Sequence, residues 1–503
     1  MWPCPAVVPA SSLADMATFS AVRDDALGDR DLVALVAALR AGEVSAGEVR
    51  SAALTRAHEA DRALNAVVAW VGEARPVSDT ATERGRPVAN RKDAVGPFAG
   101  VPTFAKDNEH LAGLPAREGS RAVPATPAAS DSDFVTHLDN LGFDMLGTTT
   151  MPEFGLTAST ESLLSGPTRN PWHRGHSVGG SSGGAAALVA AGVVPLAHAN
   201  DGGGSIRIPA ACCGLVGLKP SRGRLLVPED SRALPVQIVS EGVLTRTVRD
   251  TAAFYAVAGQ VDPALPPIGD VREPARARLR IGCYTEGITG PVDPDVTAAT
   301  RAAADTLAAL GHSVEHIDFP FDPGFGRDFL RYWAALAFTL RYAGKRLYGP
   351  EFAPEALEPF SLGLASFFRG IAPRMPATIR RLRRFAQDYH DSFSNFDVLL
   401  SPTTGTPAPP LGYLSPALDF RTHIIRLFHF AGFTTMHNVA GAPAISLPWG
   451  HTRTGLPLGV QLAAQRGHER RLLGLAYELE AAQPWPVGVS DRAPHGGFSM
   501  GNV

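Results

Sequence analysis

Residues 177–224 read SVGGSSGGAAALVAAGVVPLAHANDGGGSIRIPAACCGLVGLKPSRGR, and they constrain the fold more than any other stretch of this chain. Two glycine-rich clusters each carry a serine where backbone N–H groups are left open. Gly179-Gly180-Ser181-Ser182-Gly183-Gly184 runs into a small-residue helix predicted over 184–191 and stopped by Gly192. A strand is predicted over 193–199, despite Pro195, and Asp201-Gly202-Gly203-Gly204-Ser205 follows it. Consecutive glycines can bend so that successive amides aim at one point, a nest for an anion. The helix start behind the first cluster also favours negative charge. Strand, glycine turn and helix in alternation mark an α/β chain rather than an all-β sandwich.

The alternation extends from the apolar strand GVPTFAK (100–106) to about residue 265. Before it, Asp31 caps a helix whose Leu32, Val33, Leu35, Val36 and Leu39 repeat at helical spacing until Gly42. Ser45 and Glu48 form a capping box for a second helix reaching about Leu64, and a Pro- and Gly-broken connector occupies 74–100. After it come a helix over 296–311, a strand over 312–319, and an aromatic and basic helical region over 324–395. The strand and turn DVLLSPTTGTPAPP precede a closing region, 438–483, whose last helix is HERRLLGLAYELEAA. The expected layout is an unstructured extension over 1–20, one domain over 21–490 and a tail over 491–503. Within the domain lie a central core at about 95–265 and a pocket-bearing helical region at about 320–395.

Composition narrows the function. With 46 basic and 49 acidic side chains the net charge is −3, which offers no electrostatic reason for a nucleic-acid or acidic-membrane partner. No run approaches the ~18 apolar residues of a membrane span. The first fifteen residues carry no Lys or Arg ahead of their apolar part, a poor secretory signal, and Met16 reads as an alternative start. Four cysteines make no disulfide framework or zinc pattern; adjacent Cys212 and Cys213 read as buried thiols, and a reducing cytoplasm is expected.

The glycine clusters match no nucleotide-binding motif, neither G-x-x-x-x-G-K-[ST] nor G-x-G-x-x-G after a strand with its acidic partner. Gly179-x-Ser181-x-Gly183 does match the nucleophile-elbow pattern, which should follow a strand, whereas 168–178 reads as loop. His173, His176 and His198 lie near the motif and read as loop or core residues.

The pairing of GGSSGGAAA with DGGGSIRIPA and then GLVGLKPSRGR resembles the amidase signature family. The two serines stand 24 residues apart, as that pattern expects, and Gly100-Val101-Pro102-Thr103-Phe104-Ala105-Lys106-Asp107 is similar to its lysine segment. GPTRNPW, DVLLSPT, NVAGAPAISLP and GLPLGVQLAA extend the resemblance over about 25–485. One departure is Asn200, where Thr or Ser is common, and it is expected to leave the mechanism untouched.

The resemblance implies a large mixed, twisted β-sheet covered by helices on both faces. It makes Ser205 the nucleophile, Ser181 a bridging serine after a cis peptide, and Lys106 the general base. The amides of Gly202, Gly203, Gly204 and Ser205 would form the oxyanion hole, braced by an Asp201–Arg207 ion pair. No cofactor or metal is implied, and the protein would be a monomer or homodimer acting on a small amide or carbamate. The physical logic agrees: a serine hydroxyl needs a base, and a lysine serves as one only when burial or positive charge lowers its pKa from about 10.4. The likeness is nearest to bacterial amidases, urethanases and nylon-oligomer hydrolases. With the aromatic stretch 325–348, it points to a bulky, apolar substrate held by Phe329, Tyr332, Trp333 and Phe338. Two alternatives stand beside this: a transfer RNA amidotransferase A-type subunit with glutaminase activity, and an α/β-hydrolase-like esterase using Ser181 with a histidine and an acid.

Overall fold

Side-chain caps start the first two helices where the sequence places them. In a computed structural model that describes residues 18–72, 96–259, 261–274, 277–287 and 291–489, helix Leu32–Ala41 begins with Asp31 accepting from Ala34 N and ends at Gly42, φ 70°. Helix Ala46–Leu64 carries the reciprocal Ser45/Glu48 capping box. The expected extension before residue 18, most of the connector 74–100 and the tail 491–503 lie outside the described residues.

Eight strands form the main sheet, in the order Ser313–His316, Arg280–Cys283, Val398–Pro402, Pro457–Ala463, Ala444–His451, Val216–Lys219, Ser240–Thr245 and Leu196–Asp201. The first three run parallel and the rest pair antiparallel, so the sheet is mixed. Helices Gly183–Ala190 and Arg207–Cys213 pack together against it as one layer, and Val248–Val257, Pro294–Ala309 and Glu469–Ala482 as another. This is the α/β architecture with helices on both faces that the sequence led us to expect.

A second sheet of three strands, Val67–Trp70, Asp144–Thr149 and Pro102–Lys106, continues the first through side chains. Thr103 Oγ1 donates to Leu196 O at 3.0 Å, and Lys106 N donates to His198 Nδ1 at 3.1 Å. Helix Gly183–Ala190 is buried all round, so its lack of large side chains is a packing requirement. A Cβ on Gly184 would stand 2.5 Å from Ala66 O.

Two strand boundaries move. The strand expected over 193–199 spans Leu196–Asp201, because Pro195 cannot donate to a ladder. The strand expected over 312–319 is only Ser313–His316. Residues 168–178, read as loop, contain a short ribbon of Arg169–Asn170 with His173–Ser177, too brief and polar for periodicity to reveal. The helical region 324–395 resolves into Phe325–Tyr348, Pro359–Arg369 and Met375–Asp391.

Candidate active site

Three chain segments meet at Lys106. It ends strand Pro102–Lys106, is fully buried, and its Nζ lies 2.6 Å from Ser181 Oγ and 2.7 Å from Asn200 Oδ1. Ser181 follows a cis peptide at Gly180–Ser181, just before helix Gly183–Ala190. Asn200 projects from strand Leu196–Asp201. Asn200, expected to be incidental, is therefore a direct partner of the lysine. Nothing in one sequence separates such an acceptor from an ordinary strand residue.

Burial pushes the Lys106 amine down to about 7, against the carboxylates of Glu241, Asp201, Glu118 and Glu109, which raise it. Near neutral pH a large share of the amine is thus uncharged and able to take a proton. Asp107 is itself buried, its carboxylate accepting from Gly119 N at 2.9 Å and Arg117 N at 3.2 Å.

The second cluster, residues 201–205, is braced from behind. Asp201 receives Arg207 Nε and Nη2, each at 2.9 Å, and Asn438 Nδ2 at 2.8 Å, all buried. Burial works to raise the Asp201 carboxyl, but the charge and hydrogen bonds of Arg207 outweigh it and hold it well below the usual carboxylate range. Arg207 also reaches Thr434 O, Gln461 Oε1 and Asn438 Oδ1, so it ties the loop to the C-terminal part of the chain.

The expected set of oxyanion donors changes at one position. The amide of Gly204 donates to Asp201 Oδ1 at 2.7 Å, so it braces the loop instead of serving as an oxyanion donor. Gly204 has φ 134°, and a Cβ there would meet Thr434 Oγ1 at 2.5 Å. Thr434 Oγ1 in turn donates to Gly203 O.

Ser205 and Gly203 open onto a cavity walled by Leu156, Phe329, Trp333, Ile424, Leu427 and Phe428. The centre of a water molecule can move through about 60 Å³ of it, so it is a narrow slot. No residue lining it is charged among the described residues. Phe329 and Trp333, one helical turn apart, stack at 5.5 Å, and Trp333 Nε1 donates to Leu156 O at 3.0 Å.

Tyr332 and Phe338, expected in the pocket, do not line it. Tyr332 OH donates to Val236 O at 2.7 Å within the core. Phe338 lies nine residues beyond Phe329, about 180° round the helix, and packs on Tyr342 and Phe368. Ile424, Leu427, Phe428 and Ala431 also line the cavity and were missed, although their i, i+3, i+4, i+7 spacing on Phe420–Ala431 is a legible signal. His173 and His176 contact each other at 2.9 Å, and His198 is a buried residue behind Lys106.

A family profile described as Amidase matches residues 48–473. The chain is 46% identical over 473 residues to a Mycobacterium tuberculosis protein bearing the name amidase AmiC, covering 93% of this chain and 98% of that one. A solved 6-aminohexanoate cyclic dimer hydrolase in complex with substrate superposes with a TM-score of 0.81 at 32% identity, covering 91% of this chain and 98% of that chain. A bacterial aryl acylamidase of the amidase signature family superposes with a TM-score of 0.75 at 28% identity, covering 91% and 96%. The chain belongs to the amidase signature family and is an enzyme that hydrolyses C–N bonds other than peptide bonds.

Proposed function

We propose that the enzyme hydrolyses neutral, apolar amides and carbamates (urethanes) through a Ser205–Ser181–Lys106 triad and an acyl- or carbamoyl-enzyme. The observation that carries this reading is a lysine, buried to a pKa of about 7 and 2.6 Å from Ser181, close to an uncharged aromatic slot that opens on Ser205. Lys106 draws the Ser205 proton through Ser181, and Ser205 attacks the carbonyl. The amides of Gly202, Gly203 and Ser205 hold the oxyanion. Ser181 then returns a proton to the departing nitrogen, which an amine requires to leave, and water repeats the attack on the carbonyl carbon. The apolar lining favours uncharged apolar groups and offers no counter-charge for free glutamine. Relatives named for a cyclic amide dimer and for aryl amides support this choice.

An acetanilide and an N-aryl carbamate are expected to exceed acetamide and glutamine in kcat/KM under one buffer condition. Each buried methylene-sized group adds up to about 0.8 kcal/mol of binding. Acetamide or glutamine ranking first would remove the apolar-substrate reading and leave the triad untouched.

The acid side of the kcat/KM profile reports loss of a proton from Lys106, so activity is expected to rise with pH through a midpoint near 7. Lys106→Ala is expected to abolish that rise and to hurt amides more than activated esters, whose leaving groups need no proton. Equal losses on both substrate classes would count against a leaving-group proton passing through the lysine.

A further inference from the structure

Strand Leu196–Asp201 grips Lys106 at both ends. His198 and Asn200 stand two residues apart and so share a face of the strand. Asn200 meets the lysine amine, while His198 Nδ1 accepts the lysine main-chain N–H at 3.1 Å. A main-chain N–H only donates, so Nδ1 is the ring nitrogen without a proton and Nε2 carries it. Nε2 then donates to Glu241 Oε2 at 2.8 Å. Glu241 comes from the neighbouring strand Ser240–Thr245, opposite Asn200 and diagonal to His198. Both side chains are fully buried.

We propose that the His198–Glu241 pair is a positioning device for Lys106, in which His198 anchors the lysine main chain and Glu241, tied to His198, supplies a negative charge near its amine. The proposal rests on the reading of Lys106 as the base. Burial pushes His198 down to about 4, so the ring is neutral through the working range and keeps this tautomer. The groups acting on the lysine amine are Glu241 across the strand pair, Asp201 at the end of the gripping strand, and Glu118 and Glu109 from the segment after Lys106, with Glu241 the strongest. Around Glu241 itself stand His198, Glu109 and Tyr255, whose hydroxyl donates to Leu218 O at 2.8 Å. The charge of Asp201 is balanced by Arg207, and His198 Nε2 donates to Glu241. On this proposal Glu241, the cross-strand partner of Asn200, keeps the buried lysine basic enough to take a serine proton. Glu109, His198 and Glu241 bring ligating atoms within 4.8 Å of one another, and both nitrogens of His198 are committed to hydrogen bonds.

Glu241→Gln in the full chain keeps an oxygen toward His198 Nε2 and removes the charge. The midpoint of the acidic limb of kcat/KM on a neutral anilide is expected to move down by about one pH unit. The pH dependence of serine labelling by a fluorophosphonate should move with it, and KM should stay within about twofold. A limb that stays put in folded Glu241→Gln overturns the proposal, as does a loss of equal size at every pH. Glu241→Asp covers the case in which Glu241→Gln does not fold. It keeps the charge and shortens the reach to His198, so the limb should hold while kcat falls several-fold. Wild-type kcat there overturns the anchoring role. Lys106→Ala runs alongside: a limb that survives in it overturns both this proposal and the lysine-base reading. A limb lost in Lys106→Ala yet unmoved in Glu241→Gln overturns this proposal alone.

Discussion

Ser205→Ala is expected to lower kcat on any amide substrate by about 10⁴-fold or more, as removal of a nucleophile does when the catalytic groups act as a unit. The change deletes one oxygen from a residue that opens on the slot, so the free energy of unfolding should stay within about 0.5 kcal/mol of wild type. Mass spectrometry supplies the second readout. A fluorophosphonate adduct, one per chain in the wild type, should be absent from Ser205→Ala. The adduct vanishing in Ser181→Ala while persisting in Ser205→Ala would assign the nucleophile to the elbow motif at Gly179–Gly183 instead. Against that outcome, Ser181 faces a lysine at 2.6 Å rather than a histidine.

Asp201→Ala is expected to destabilise the fold by about 3–5 kcal/mol, the usual cost of removing one partner of a buried, hydrogen-bonded ion pair. It leaves the Arg207 guanidinium buried without its carboxylate, and it strips the amides of Gly204 and Ile206 of their acceptor. Activity should fall further than stability predicts, because those two amides set the curve of the 201–205 loop. The double variant Asp201→Ala/Arg207→Met should recover part of the loss, since it removes the stranded charge and leaves an apolar chain of similar length. Chemical denaturation checks both. A denaturation midpoint at the wild-type value for Asp201→Ala would show that the brace carries no load.

Elements whose causes are local were legible from the residues. The caps at Asp31 and Ser45, the glycine stop at Gly42 and the helix Pro294–Ala309 follow from short-range hydrogen bonds and helical periodicity, and they stand within two residues of where they were expected. The two serine clusters were legible for a related reason. Glycines in series are rare unless backbone must approach something closely, as Gly184 does with Ala66 O. The aromatic stretch was half legible: composition pointed to Phe329 and Trp333, but only the rotation of helix Phe325–Tyr348 decided that Tyr332 and Phe338 turn away.

The sequence by itself determined the α/β class, the glycine clusters and the family to which the chain belongs, because these depend on neighbours within a few residues or on an uninterrupted motif. Tertiary structure alone decided what surrounds Lys106. Asn200 and Ser181, 94 and 75 residues away, supply its contacts, and Glu241, farther still along the chain, is the carboxylate that acts on it most strongly. It also decided that Gly204 braces the loop, that Ile424, Leu427 and Phe428 close the slot, and that the lysine is buried at all. A proton affinity is set by desolvation and by charges brought close through space, and strand pairing, not chain proximity, brings them there.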